Sequence, residues 1–384
     1  MKKFLSANEA VAHAAAQAGC VVASAYPGTP STEILENIAK FKDTIACEWA
    51  VNEKVAVETA VGASMAGARA LTAMKHVGLN VAMDPLMTFT YVGPLGGFVL
   101  VSADDPGMHS SQNEQDNRNL AKFARALLLE PSDSQEAYDM TCAAFELSEK
   151  FGVPVILRLT TRTSHSSSLV ELGDFSPKPH PLIPYVKDIR RNIPVPAFSP
   201  TQRLNAQKRT AAMEKAACAS PFNRVVKPAK GVKVSAAAKG LGIVTSAVAY
   251  QYVKEIFPDV PILKLGWTNP LPKALVAKFA KTVERLLVVE ELDPFLEDQV
   301  KAMGLPVVAH KTELNMLELN ADRLQNLRHE ILGDVPKAKA RKVDETLPRR
   351  PPVLCAGCGH RGVFYVLHKL GATVTGDIGC YTLG

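Results

Sequence analysis

Between residues 21 and 160 the chain alternates short apolar runs with stretches of helical period, and most of the runs end in a polar, glycine- or proline-bearing turn. Strands spaced by helices can pair side by side only through crossover connections, so the alternation predicts an α/β fold with a parallel, doubly wound sheet. The apolar runs lie at 21–25, 44–49, 70–74, 98–102, 127–129 and 153–160. Helical periodicity covers 33–39, 52–68, part of 81–91 and 135–150, and Ser6 with Glu9 forms a capping-box pair ahead of an alanine-rich first helix. In open sheets of this kind ligands bind beyond the carboxyl ends of the strands. The turns there are the first places to look for chemistry.

One such turn is crowded with carboxylates. In Ala46-Cys47-Glu48-Trp49-Ala50-Val51-Asn52-Glu53-Lys54-Val55-Ala56-Val57-Glu58 an apolar run, read as a buried strand, gives way to a helix. Ala56, Ala60, Ala63 and Gly67 recur along one face, which is therefore small. Gly62 and Gly67 each cost about 1 kcal/mol inside a helix, so another backbone or a ligand is expected to come close to them. Glu53 opens this helix at a strand's carboxyl end and is the leading catalytic candidate. Equally, Glu48, Glu53 and Glu58 could complement the helix dipole or face solvent.

Further along, Tyr26-Pro27-Gly28-Thr29-Pro30-Ser31-Thr32 makes a rigid loop in which Ser31 or Thr32 can cap the next helix. The stretch 77–101 has the length of a membrane span, but Asp84, Pro85, Pro94, Gly96 and Gly97 make it a buried helix, a turn and a strand. Asn8, Glu9, His13 and Gln17 likewise interrupt any secretory signal at the amino terminus. After residue 171 the alternation stops in a proline-rich connection with one helix at 201–217. A second α/β unit follows, with strands at 240–246, 262–265, 285–289 and 307–310 and helices between them. Beyond a basic linker ending in Arg349-Arg350-Pro351-Pro352, a third segment offers a short helix and a strand at 372–375. It is too short to bury a core, and so is read as a truncated domain or one completed by another chain.

A net charge of +6 over 384 residues is no nucleic-acid signature by itself. Seven scattered cysteines do not make a disulfide framework and fit a reducing, cytoplasmic setting. Cys355-Ala356-Gly357-Cys358-Gly359-His360 has the look of a metal site, yet Cys380 is the only nearby further thiol, so no metal ligand is assigned. Its glycines point instead to a loop that lets backbone approach a ligand. The polar loop 102–116 stands at a strand end, and His109 within it faces either ligand or water.

Taken together and in this order, several motifs resemble the thiamine-diphosphate-dependent 2-oxoacid:ferredoxin oxidoreductases, and within them the alpha subunits of the indolepyruvate branch. They are the Tyr26–Thr32 loop, Asn52-Glu53-Lys54-Val55-Ala56 running into Gly62-Ala63-Ser64-Met65-Ala66-Gly67, and Asp104-Asp105-Pro106-Gly107-Met108-His109-Ser110-Ser111-Gln112-Asn113-Glu114-Gln115-Asp116. Leu265-Gly266-Trp267, Val288-Val289-Glu290-Glu291-Leu292-Asp293-Pro294-Phe295, Cys355 to Gly362 and Gly376-Asp377-Ile378-Gly379-Cys380 complete the set.

The resemblance implies a pyrimidine-binding domain at 1–170, a proline-rich linker at 171–232, a transketolase carboxyl-terminal-like domain at 233–333, a basic linker at 334–350 and the start of a diphosphate-binding domain at 351–384. Glu53 then matches the glutamate that hydrogen-bonds the aminopyrimidine of thiamine diphosphate, and Thr29 lies close to cofactor and substrate. Cys358, Gly359, His360 and Cys380 line loops near the cofactor. Pyruvate-specific members carry an arginine for the substrate carboxylate where this chain has Asp104, which leaves His109, Gln112 and Asn113 as substrate-binding candidates. The implied reaction is oxidative decarboxylation of an arylpyruvate to its arylacetyl-CoA, with electrons passing to ferredoxin and a beta subunit as partner. Pyruvate- or 2-oxoglutarate-type activity, or a catalytically silent fragment that only binds a partner, are the alternatives. Mg²⁺ and [4Fe–4S] clusters are implied for the full-length protein, with ligands outside this chain; Asp377 falls too early to be assigned to Mg²⁺. No nucleic acid or membrane partner is implied.

Overall fold

A computed structural model describes residues 1–339, 346–348, 353–376 and 379–384, so Asp377 and much of the basic linker lie outside the described residues. The chain forms two units, Met1–Ala338 and Lys339–Gly384.

In the first unit the strands are Lys2–Ser6 (β1), Val22–Ala25 (β2), Ala46–Trp49 (β3), Ala70–Lys75 (β4), Phe98–Asp104 (β5), Leu127–Leu129 (β6), Val155–Thr160 (β7), Ser167–Glu171 (β8), Arg224–Val226 (β9), Leu241–Ser246 (β10), Ile262–Leu265 (β11), Trp267–Asn269 (β12) and Arg285–Val289 (β13). The helices used below are Ala7–Gln17 (α1), Thr32–Ile38 (α2), Glu53–Met65 (α3), His76–Val92 (α4), Asn117–Ala124 (α5) and Ser134–Phe151 (α6). A seven-stranded sheet runs in the order β12-β6-β7-β5-β4-β2-β3 and a four-stranded sheet in the order β13-β10-β11-β9. Within the larger sheet every pairing is parallel except β12 with β6. Residues of α1, α2 and α6 bury against one face, and residues of α3, α4 and α5 against the other. Helix α1 begins at the Ser6–Glu9 capping box and is alanine at most of its buried positions, which lets it lie close against α6.

Several sequence expectations are corrected. The run at 44–49 is not a buried strand: β3 is the sheet's edge, and Ala46, Glu48 and Trp49 are exposed. The expected strand at 307–310 shrinks to one bridge between Val307 and Leu286, and residues 372–375 form no strand. The second region is also less separate than its sequence implies, because β12 leaves it and closes the edge of the first sheet. Asn223 holds that crossing, its side-chain oxygen accepting from Gly266 N and Trp267 N, both at 2.9 Å.

The proline-rich connection is partly anchored by its backbone. His180 N donates to Gly19 O at 3.0 Å, and Ile183 N to Gly67 O at 2.9 Å. Gly67 has φ +89° just beyond α3, and a Cβ there would overlap the Ile183 carbonyl, so the close backbone approach expected from sequence is found. At Gly62 it is not, since nothing lies within 4 Å.

In the second unit, His360–Lys369 is helical, and no described residue of 353–384 is buried. Among the described residues no helix is long and apolar enough to cross a membrane. Gly67→Ala is expected to lower the unfolding free energy by about 2 kcal/mol, from the left-handed backbone and the blocked contact. Gly62→Ala is expected to stabilise slightly. Denaturant titration of the two variants checks both signs.

Candidate functional site

Strands β5, β4, β2 and β3 are consecutive neighbours in the sheet and all parallel, so their carboxyl ends form one rim. Four loops leave it. From β2 comes the turn 26–32, fastened by Gly28 N to Thr32 Oγ1 at 2.9 Å, Ser31 Oγ to Gly28 O at 2.8 Å, and Asn8 Nδ2 to Pro30 O at 2.7 Å. Thr29, at its tip, is exposed. Neither Ser31 nor Thr32 caps α2 through its side chain; both hold the turn instead.

From β3 the chain reaches Asn52, whose side chain accepts from Val55 N at 2.9 Å and caps α3. Glu53 is the first helical residue and half-buried. It faces Gly78 on α4: a Cβ at 78 would stand 2.5 Å from Glu53 Oε1 and 2.6 Å from its Cγ. Any side chain at 78 would displace the carboxylate, so the glycine gives Glu53 its place.

β4 ends at Lys75, and α4 starts at His76. Lys75 Nζ donates to Ser110 O at 2.7 Å, and the buried His76 ring bonds Asn113 O through Nε2 at 3.1 Å. The two side chains hold the loop that leaves β5. That loop is also tied internally, with Asp105 accepting from Ser110 N (2.8 Å) and Ser111 Oγ (2.6 Å) and Glu114 from Gly107 N (2.7 Å), and Asp105 accepts as well from Thr161 Oγ1 just after β7 (2.7 Å). Burial opposes ionisation of Asp105, but these donors hold its carboxyl below the usual range. His109 is exposed, and its Nε2 lies 3.6 Å from Glu318, which also accepts from Nε and Nη2 of Arg162. Gln112 and Asn113 are exposed on the same loop.

Asp104 points away from this rim. It is fully buried against Arg158, with Nε to Oδ2 at 2.7 Å. Arg158 also pairs with Glu130 at 2.8 Å, and the neighbouring Arg118 pairs with Asp116 and, at 2.7 Å, with Glu290 beyond β13. Sequence reasoning missed this network and missed Lys75. A charged residue inside the apolar run Val155-Ile156-Leu157-Arg158-Leu159 was the available signal for the first. A cation at a strand's carboxyl end was the signal for the second.

In the second unit, Cys358 Sγ is 3.3 Å from His360 Nδ1, His360 stacks on Phe364, and Cys380 is exposed. Among the described residues no group of three or more His, Cys, Asp or Glu could hold a metal ion. A cavity of about 240 Å³ beside Ser132, Arg162, Gln251 and Tyr252 contains none of the sequence-derived site residues.

Residues 13–219, more than half the chain, match the family described as pyruvate flavodoxin/ferredoxin oxidoreductase, thiamine diphosphate-binding. The indolepyruvate oxidoreductase subunit IorA of Archaeoglobus fulgidus is 42% identical over 408 residues, covering 100% of this chain and 64% of that protein. The subunit of the same name from Pyrococcus abyssi is 42% identical, covering 99% and 62%. The chain thus spans less than two thirds of the length of these relatives. Among solved structures, the 2-oxoglutarate:ferredoxin oxidoreductase of Magnetococcus marinus superposes with a TM-score of 0.65 at 20% identity, over 78% of this chain and 60% of that one, a likeness of fold.

Two outcomes follow from the buried charges. Asp104→Ala leaves Arg158 without its nearest partner and is expected to cost about 3 kcal/mol or more in chemical denaturation. Burial pushes Glu291 up to about 7, whereas an unfolded glutamate titrates near about 4.3. Between those values the folded state holds more protons than the unfolded, so this residue's contribution to stability falls as pH rises. The loss of stability between about pH 5 and pH 8 should therefore be smaller in Glu291→Gln than in the unsubstituted protein.

Proposed function

Because the chain belongs to the pyruvate flavodoxin/ferredoxin oxidoreductase, thiamine-diphosphate-binding family, we propose that it is the cofactor-binding part of an indolepyruvate-type oxidoreductase. In this reading it acts with a beta subunit to convert an arylpyruvate oxidatively to its arylacetyl-CoA and passes the electrons to ferredoxin. The observation that carries the proposal is the 42% identity to the A. fulgidus subunit across 100% of this chain. The seven free thiols suit a reducing, cytoplasmic setting.

The rim fits one end of the cofactor. A half-buried carboxylate at the start of α3, facing a residue without a side chain, suits a ring nitrogen that must be held by a hydrogen bond. When bound, thiamine diphosphate supplies the electron sink for decarboxylation. Glu53 would hold the proton shared with the aminopyrimidine nitrogen, which sets the tautomer of the neighbouring amino group. Thr29 would border cofactor and substrate from the β2 turn, and His109, Gln112 and Asn113 would border the substrate from the β5 loop. The roles of Cys358, Gly359, His360 and Cys380 near the cofactor rest on the family resemblance, as do CoA, Mg²⁺ and the [4Fe–4S] clusters of the longer protein. The burial of Asp104 against Arg158 takes that position out of substrate contact, which favours an arylpyruvate over a small acid clamped there.

In the complete two-subunit enzyme, Glu53→Gln is expected to abolish indolepyruvate-dependent reduction of methyl viologen while far-UV circular dichroism stays unchanged. Retained turnover would refute the role given to Glu53.

A further inference from the structure

With Asp104 turned inward, the carboxylate of a 2-oxo acid needs another cation on the rim. Lys54 is paired with Asp84 at 2.6 Å, and Arg162 holds both oxygens of Glu318 through Nε and Nη2. His109 has Glu318 at 3.6 Å. Lys75 differs from all three. It stands at the end of β4, between the β2 turn and the β5 loop, and its stem runs beneath Gly28, where a Cβ would come within 3.0 Å of Lys75 Cδ.

The Lys75 ammonium has three donors and, among the described residues, one hydrogen-bond acceptor, Ser110 O. Asp105 and Glu53 act on it electrostatically, but Asp105 is already bonded to Ser110, Ser111 and Thr161. Burial draws the lysine's pKa down from its ordinary value and the two carboxylates oppose that. Thr29 adjoins Gly28 on one side, and His109 adjoins Ser110 on the other. Two of the sequence-derived substrate residues are thus chain neighbours of the residues that Lys75 touches.

We infer that Lys75 binds the carboxylate of the 2-oxo acid substrate, taking the part that the arginine plays in pyruvate-specific relatives. The inference rests on the oxidoreductase reading above and names the group in that site that makes it select a monoanion. Gly28 is part of the same device, because a side chain there would press on the lysine stem. The contact to Ser110 O orients the ammonium and leaves two N–H groups for the two carboxylate oxygens.

The test uses the complete two-subunit enzyme with indolepyruvate as substrate and methyl viologen as acceptor. Two competitive ligands are compared, indole-3-lactate and its uncharged methyl ester. Lys75→Gln keeps a donor for Ser110 O and removes the charge. It should raise the KM for indolepyruvate and the Ki for indole-3-lactate by about 10- to 100-fold, with the ester's Ki and the affinity for thiamine diphosphate unchanged. Lys75→Arg should restore most of the loss. Equal weakening of acid and ester, or an unchanged KM, would leave Lys75 as a tether of the loop and nothing more, and would overturn the inference while leaving the oxidoreductase reading intact. If Lys75→Gln fails to assemble, Lys75→Met is judged by the same acid-to-ester ratio. Absence of indolepyruvate oxidation by the unsubstituted enzyme would overturn both.

Discussion

Two buried guanidinium groups hold the first unit together. Arg158, from the interior strand β7, reaches Asp104 at the end of β5 and Glu130 just after β6. Arg118 reaches Asp116 at the cap of α5 and Glu290 after β13, and donates further to the carbonyls of Glu291 and Asp293. Each cation is almost wholly out of water, so its partners are obligatory: a buried charge that loses one partner costs several kcal/mol. The network also joins the two sheets, since Asp104 and Asp116 belong to the large sheet's side and Glu290 to the small one's. Thr268 on β12 adds to it through Glu130 at 2.6 Å.

The candidate site inherits its rigidity from that network. The loop 105–115 runs between Asp104 and Asp116, so both of its ends are pinned by buried ion pairs. Its middle is then held by Lys75 at the end of β4 and His76 at the start of α4, and from within by Asp105 and Glu114. A polar loop with so many fixed points can present His109, Gln112 and Asn113 at set positions beside the β2 turn and the start of α3. Glu53 is set in a different way, by a helix cap at Asn52 and by the missing side chain of Gly78.

Much of this was readable from residue order. The alternation of runs implies the doubly wound sheet, and residue order sets Glu53, the Tyr26–Thr32 turn and the 104–116 loop each at a strand's end; that they share one rim follows from the strand order β5-β4-β2-β3. What sequence could not supply were pairings across long separations. Arg158 and Asp104 are 54 residues apart, and Arg118 and Glu290 are 172 apart; nothing in local spacing links them. Strand β12 has no signal of its own in the sequence because it follows β11 after a single residue and pairs with β6, more than a hundred residues earlier. The exposed edge at β3 was misread because an apolar run looks the same whether it is central or at the border. At 307–310 the apolar residues were present, but only Val307 found a neighbouring strand.

The role of Glu53 is tested most directly by the rate at which solvent deuterium replaces the C2 proton of thiamine diphosphate bound to the complete two-subunit enzyme. The account predicts exchange far faster than in free cofactor, and a loss of at least about 100-fold in Glu53→Gln, in line with removal of a group that sets a proton transfer. Equal exchange rates in the two proteins, both with cofactor bound, would contradict it.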